Sequence, residues 1–212
     1  MPEMKKQGCD VDERGGGSVI RLPQPALRGK MSLEEAISAR RSVRAFMGEP
    51  LRLEEVGQLL WAASGITGAE PRLRANPSAG ALHPLEVLAV LSKGVYRYRP
   101  DGHRLEPNRE GDQRQSLVAG AHGQSFLAEG GCVLAIAAVY ERTTKKYGER
   151  GRTRYVPMDA AHAAQNVLLQ AVALGLGAVL VGAFEDAAIH RTLGLRPDET
   201  PLYLIPVGTP RQ

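Results

Sequence analysis

The chain has 212 residues, 43% of them apolar and 24% charged, with 24 Gly, 14 Pro, 2 Cys and a formal net charge of +4. A chain of this length forms one domain that buries a core of its own, so it needs neither a structural metal nor disulfides to hold it together. Two cysteines in unlike surroundings supply neither of these, and a surplus of four positive charges is weak as a sign of an anionic polymer.

Residues 1–21 are charged and carry Gly15, Gly16 and Gly17 without an apolar core, so they read as a flexible arm with no legible signal peptide, ahead of a domain spanning 22–212. Pro23 and Pro25 give an extended lead-in. Ser32 with Glu35 forms a capping box and starts a helix over 32–40. Val56, Leu59, Leu60 and Ala63 at helical spacing predict a second helix over 53–64. The segment 65–82 has small residues, prolines and Arg72 and Arg74 but no periodicity, which marks a long loop of the kind that carries function. Strands follow at 86–91 and 94–98, then a turn at Pro100, Asp101 and Gly102 and a return strand from Arg104. A helix is predicted over 112–128 and a strand over the unbroken apolar run 132–139, where Cys132 reads as a small core residue. The basic segment 141–154 receives no element. The longest helix is expected at 158–174, a strand at 178–182, a helix over 185–193 closed by Gly194, and a last strand at 202–207. Elements interleave without a βαβ rhythm, so the fold class is α+β with a mixed or antiparallel sheet. The longest apolar stretch, 167–184, is broken by Gln170, Gly175 and Gly177, which excludes a membrane span. With so few cysteines and no export signal, a reducing, cytoplasmic setting is expected.

No phosphate loop, Rossmann fingerprint, paired CxxC, HExxH or GxSxG occurs. The histidines at 83, 103, 122, 162 and 190 are scattered, and Asp159 with His162 on one helix face reads as a local hydrogen bond, so no metal is expected. What remains is Arg40-Arg41-Ser42-Val43-Arg44, three guanidiniums and a hydroxyl within five residues. Such a group suits a phosphate, which Arg forks bind bidentately. It equally suits a basic helix C-terminus facing the macrodipole, and composition leaves both readings open. A nucleic-acid module built on 40–44 and 142–154 is disfavoured, because only 5% of residues are aromatic and no groove-binding motif is present.

Several further segments fall into one ordered pattern: Leu59-Leu60-Trp61-Ala62-Ala63, Gly65-Ile66-Thr67, the run from Pro77 to Leu85, Gly94-Val95-Tyr96-Arg97-Tyr98, Lys146-Tyr147-Gly148, Gln165-Asn166, Val181-Gly182-Ala183-Phe184 and Pro206-Val207-Gly208. Together with the arginine cluster they resemble the nitroreductase-like flavin oxidoreductases from residue 22 onward, and within them the SagB-type dehydrogenase branch. The resemblance implies a nitroreductase-like fold, a central mostly antiparallel sheet flanked by helices, in a homodimer with FMN at the interface. It implies that Arg40, Arg41, Ser42 and Arg44 hold the FMN phosphate, ribityl chain and pyrimidine edge, and that Arg211 is a further phosphate contact. Pro77, Ser78, Ala79, Gly80 and Leu82 would come from the partner subunit and lie along the ring, while Gln165, Val181, Gly182 and Ala183 complete the cofactor set. The implied reaction passes hydride from NAD(P)H to a small organic acceptor such as a nitroaromatic or quinone. The SagB-like alternative oxidises a peptide or heterocycle, and there a Lys-Tyr pair at the place of Lys146 and Tyr147 removes a proton. A solvated Lys146 with a packing Tyr147 is the other reading of that pair. The chain departs from many nitroreductases in carrying Ala81 where they have Asn and Gly182 where they have Glu.

Overall fold

The structure, a computed structural model, describes residues 18–68 and 73–211. The expected arm up to residue 17, and Arg72 in the long loop, lie outside the described residues. Among those described, a seven-stranded sheet runs in the order β1-β4-β3-β2-β5-β7-β6. Its strands are β1 (Ile20–Arg21), β2 (Leu85–Leu91), β3 (Gly94–Arg99), β4 (Arg104–Glu110), β5 (Cys132–Val139), β6 (Gly177–Ala178) and β7 (Glu199–Gly208). Every pairing between them is antiparallel. Ile20 and Arg21, assigned by sequence to the end of the arm, pair with Leu105 and Arg104.

β5 explains why its sequence is apolar without alternation. All eight of its residues are buried. Cys132, Leu134, Ile136 and Ala138 enter a core shared with α2 (Leu53–Ser64) and α6 (Val156–Ala173), while Val133, Ala135 and Ala137 enter a second core with α3 (Arg114–Gly120) and α7 (Asp186–Leu193). A central strand covered on both faces has no solvent side to mark with polar residues. α1 (Leu33–Ala39) begins at the predicted capping box, with Ser32 and Glu35 bonding each other's backbone.

Three predictions change. The single helix over 112–128 is two, α3 and α4 (Phe126–Glu129), broken where His122 and Gly123 adopt φ of 54° and 78°. The segment 141–154 is helical, as α5 (Glu141–Arg150) followed by one π turn (Gly151–Tyr155). Its side chains are polar nearly throughout, with Thr143 and Gly151 the buried positions, so no apolar period announces it. The strand expected over 178–182 pairs only through Gly177–Ala178, and Val181 returns to β7 as an isolated bridge to Leu204.

Residues of β3, β2 and β7 form an ion network that sequence periodicity does not reveal. Arg97 grips Glu199 with both Nη atoms at 2.7 and 2.8 Å and Glu86 at 3.0 Å, all three side chains being buried. Glu86 also accepts from Arg142 on α5. No helix among the described residues is long and apolar enough to cross a membrane.

Candidate active site

The arginine cluster follows directly from the end of α1. Arg40 caps that helix through its N–H to the Ala36 carbonyl but has ψ of 124°, so the chain leaves the helix there and runs on extended. The extended segment is fastened on both sides. Val43 N–H donates to the Ala178 carbonyl at 3.1 Å, Met47 N–H to that of Thr209 at 3.0 Å, and Arg211 N–H to that of Ala45 at 3.0 Å. The approach to β6 requires glycine, because a Cβ at Gly177 would lie 2.8 Å from the side chain of Val43. The last of these bonds sets Arg211 beside the residue that follows Arg44. Arg41, Ser42, Arg44 and Arg211 are exposed and Arg40 is half-buried. Arg41 donates to the carbonyls of Ser38 and Arg40, at 2.9 and 2.8 Å, so it does serve the helix terminus. Arg211 pairs with Glu129 at 3.3 Å. Arg40 and Arg44 have no carboxylate partner among the described residues and remain available to an anion.

The second surface is the loop from Pro77 to His83. Ser78 Oγ donates to Asp159 Oδ2 at 2.6 Å and accepts from His83 N–H at 2.9 Å, and the Ala79 N–H donates to Asp159 Oδ1 at 3.3 Å. These bonds hold a tight turn in which Gly80, Ala81 and His83 have φ of 63°, 53° and 46°. Within the loop Pro77, Gly80 and Ala81 are exposed, and Ser78, Ala79 and Leu82 are half-buried. Lys146 and Tyr147 are brought to this loop by α5: a Cβ at Gly80 would stand 2.8 Å from Tyr147 Oη and 3.2 Å from Lys146 Nζ. Arg142, one turn earlier on that helix, donates to the His83 carbonyl at 3.1 Å and ties α5 to the loop.

Asp159 is the residue that sequence reasoning misassigned. Its buried carboxylate turns to Ser78 and Ala79 rather than to His162, which is exposed. Among the described residues, no group of three or more His, Cys, Asp or Glu could hold a metal ion. Asn166 donates to the carbonyls of Ala62 and Ala75, each at 3.1 Å, which is the internal hydrogen-bonding role, whereas Gln165 is exposed. Trp61 is half-buried and donates from Nε1 to the Ile66 carbonyl at 3.2 Å. Val181 is buried and exchanges two bonds of 2.9 Å with Leu204, leaving Gly182 and Ala183 exposed just beyond. Cys132 is fully buried, and burial pushes its thiol up to about 12, so it carries no thiolate chemistry.

Residues 37–209, which carry the Pro77 to His83 loop and the arginine cluster 40–44, match the model of the Nitroreductase family. The chain belongs to the nitroreductase family. It is therefore a flavin-dependent oxidoreductase, and the cofactor of its family is FMN. A protein of Methanocaldococcus jannaschii named as a nitroreductase is 41% identical over 198 residues, which cover 91% of this chain and 98% of that protein. The crystal structure of a protein from Ralstonia eutropha JMP134 assigned as a nitroreductase superposes with a TM-score of 0.81 at 30% identity, covering 92% of this chain and 90% of that one. A chain of the Escherichia coli microcin synthetase McbBCD complex, solved with truncated pro-MccB17 bound, shares the fold with a TM-score of 0.71 at 23% identity, covering 90% of this chain and 78% of that one. The residues present fit FMN. Arg40 and Arg44 offer charge without a competing carboxylate among the described residues, and Gly182 and Ala183 leave exposed backbone just beyond the pinned Val181.

Proposed function

We propose that this nitroreductase-family protein works as a homodimer that uses FMN to pass hydride from NAD(P)H to a small organic acceptor of the nitroaromatic or quinone type. The observation that carries this reading is the extended segment from Arg40 to Met47, locked between Ala178 and Arg211, which presents guanidiniums with no carboxylate partner among the described residues. Arg40, Arg41, Ser42 and Arg44 bind the phosphate, ribityl chain and pyrimidine edge, with Arg211 as a further phosphate contact. Pro77, Ser78, Ala79, Gly80 and Leu82 of a second copy cover the ring with backbone and small side chains, Asp159 fixing their turn. Val181 is pinned by Leu204 so that Gly182 and Ala183 offer backbone N–H groups to the polar edge, and Gln165 borders the site from α6. The second copy is suggested by apolar side chains left open along α1 and its lead-in: Leu27, Leu33 and Ile37 are 79%, 61% and 56% exposed. A cytoplasmic setting, where NAD(P)H is present, goes with this reading.

Anaerobic titration tests it. Protein that is yellow as purified, or after incubation with FMN, should lose its flavin band on addition of NADH or NADPH and regain it with a nitroaromatic or quinone. Protein that takes up no FMN overturns the reading.

One observation favours a second reading, a SagB-like dehydrogenase of a peptide or heterocycle. Lys146 Nζ and Tyr147 Oη converge at Gly80, an amine and a phenol placed where one can take a proton and the other hold it. Hydride delivery to a quinone does not call for such a pair. A flavin band bleached by a thiazoline or oxazoline peptide but not by NAD(P)H would select this reading.

A further inference from the structure

The segment 141–155 meets the second surface only through Arg142, Lys146 and Tyr147, and the rest of its charge is not absorbed by either surface. It carries Arg142, Lys145, Lys146, Arg150, Arg152 and Arg154 against Glu141 and Glu149, a surplus of four that equals the formal net charge of the whole chain. Arg142 is engaged with His83 and Glu86, Lys145 pairs with Glu141 at 3.2 Å, and Arg152 lies 4.8 Å from the ring centre of Tyr140 with Glu149 at 4.0 Å. Arg150 differs from these. Its Nε donates to Tyr155 Oη at 2.9 Å, its guanidinium carbon is 5.7 Å from that ring, and no carboxylate pairs with it among the described residues. Tyr155 in turn meets Tyr147 edge to face with 5.0 Å between ring centres, and Tyr147 Oη lies 2.8 Å from where a Cβ at Gly80 would stand. An unbroken series therefore runs from the Gly80 turn through Tyr147 and Tyr155 to Arg150. Anchoring a guanidinium at Nε fixes its plane, and the two Nη groups of this exposed residue, which together match a carboxylate, have no protein acceptor among the described residues. Tyrosine rings beside it supply faces on which an aromatic acid can lie.

We propose that Arg150, braced by Tyr155, is a specificity-determining residue that selects acceptors bearing a carboxylate, so that the substrate is a small aromatic or heterocyclic acid. The inference rests on the reading that Lys146 and Tyr147 border the substrate side of the flavin site. The surplus charge of 141–155 adds attraction for the same anion from a distance.

The test is calorimetric titration of the holoprotein at low salt with 4-nitrobenzoate and with its neutral isostere 4-nitrobenzamide, followed by steady-state kinetics on both. One charge-assisted bidentate contact at an exposed site should make the nitrobenzoate bind about tenfold tighter. That preference should fall to near parity in Arg150→Gln, stay partial in Arg150→Lys, shrink in Tyr155→Phe, and survive in Lys146→Gln. In the kinetics the loss should appear in KM for the nitrobenzoate. Equal binding of the two ligands by the unaltered protein, an undiminished preference in Arg150→Gln, or a preference abolished by Lys146→Gln instead would overturn the assignment. Because binding is read as heat, a carboxylate preference that persists in protein inert to NAD(P)H sustains this proposal while removing the reductase reading.

Discussion

Asp159 receives a hydroxyl and a backbone N–H from the Gly80 turn, and Ser78 Oγ in turn receives the His83 N–H, so one carboxylate organises the whole loop. Asp159→Ala leaves both donors unpaired beside the core, and such groups cost about 1–3 kcal/mol each. The expected result is a urea midpoint lowered accordingly with unchanged m value, together with weaker retention of FMN on gel filtration. Asp159→Asn should lie between, since its amide oxygen still accepts one of the two bonds. Glu86 makes the second prediction at this scale. Burial pushes its carboxyl up, but the guanidiniums of Arg142 and Arg97 together pull it below its ordinary value of 4.5. A depressed carboxyl contributes stability that is full above the unfolded value and is lost as pH falls through the folded one. Below about pH 4.5 the unfolded chain takes up a proton that folded Glu86 refuses, with a slope of up to about 1.4 kcal/mol per pH unit from this group. Arg142→Met should flatten that part of the acid limb in chemical denaturation measured from pH 6 to pH 3, and an acid limb unchanged by the substitution would count against it. Neither Asp159 nor Glu86 was legible in sequence, because the bond from Ser78 spans 81 residues and that from Arg142 spans 56, and no periodicity encodes a partner so far away.

At the scale of elements, the extended segment after α1 carries the phosphate-facing arginines, and its seat depends on a glycine. A methyl group at Gly177 would press on Val43 at 2.8 Å, and over-packing of this kind costs about 1–3 kcal/mol. Gly177→Ala should therefore lower the melting temperature and raise the dissociation constant for FMN, because the segment must shift. Gly175→Ala is the control: its φ of 75° makes alanine costly by about 1 kcal/mol, yet open space surrounds it, so stability falls without loss of FMN affinity. An equal loss of FMN affinity in both would show that the seat of Val43 is not what matters. Elements with a strong local signature were readable in advance, among them α1 with its capping box, α2 and α6 with their apolar stripes, and β5 as a bare apolar run. α5 was not, because a helix polar on nearly every side leaves no stripe, and the break between α3 and α4 was hidden by His122, which takes a left-handed conformation that favours glycine.

At the scale of the whole molecule, the unpartnered apolar side chains of α1 call for a cover, and the proposed homodimer supplies it. Ile37→Asp, at a position 56% exposed, should leave the fold of one chain intact while shifting sedimentation velocity toward the monomer and releasing FMN, since each site would then lose the partner's Gly80 loop. A dimer that persists with Asp at this position would place the interface elsewhere. The sequence by itself determined the fold class, the central strand, the capped helices and the arginine cluster, because these depend on neighbours within a turn or two of chain. Its ordered motifs also pointed to the family. Only the tertiary structure decided that Lys146 and Tyr147 meet Gly80, that Asp159 serves Ser78 rather than His162, that Arg97 is buried between two glutamates, and that Arg150 stands fixed at the end of a tyrosine series. Except for the Arg150 and tyrosine series, which lies within one helical segment, those contacts join segments distant in sequence, and the packing of the elements on two shared cores, a constraint that acts on the whole chain at once, sets where those segments lie.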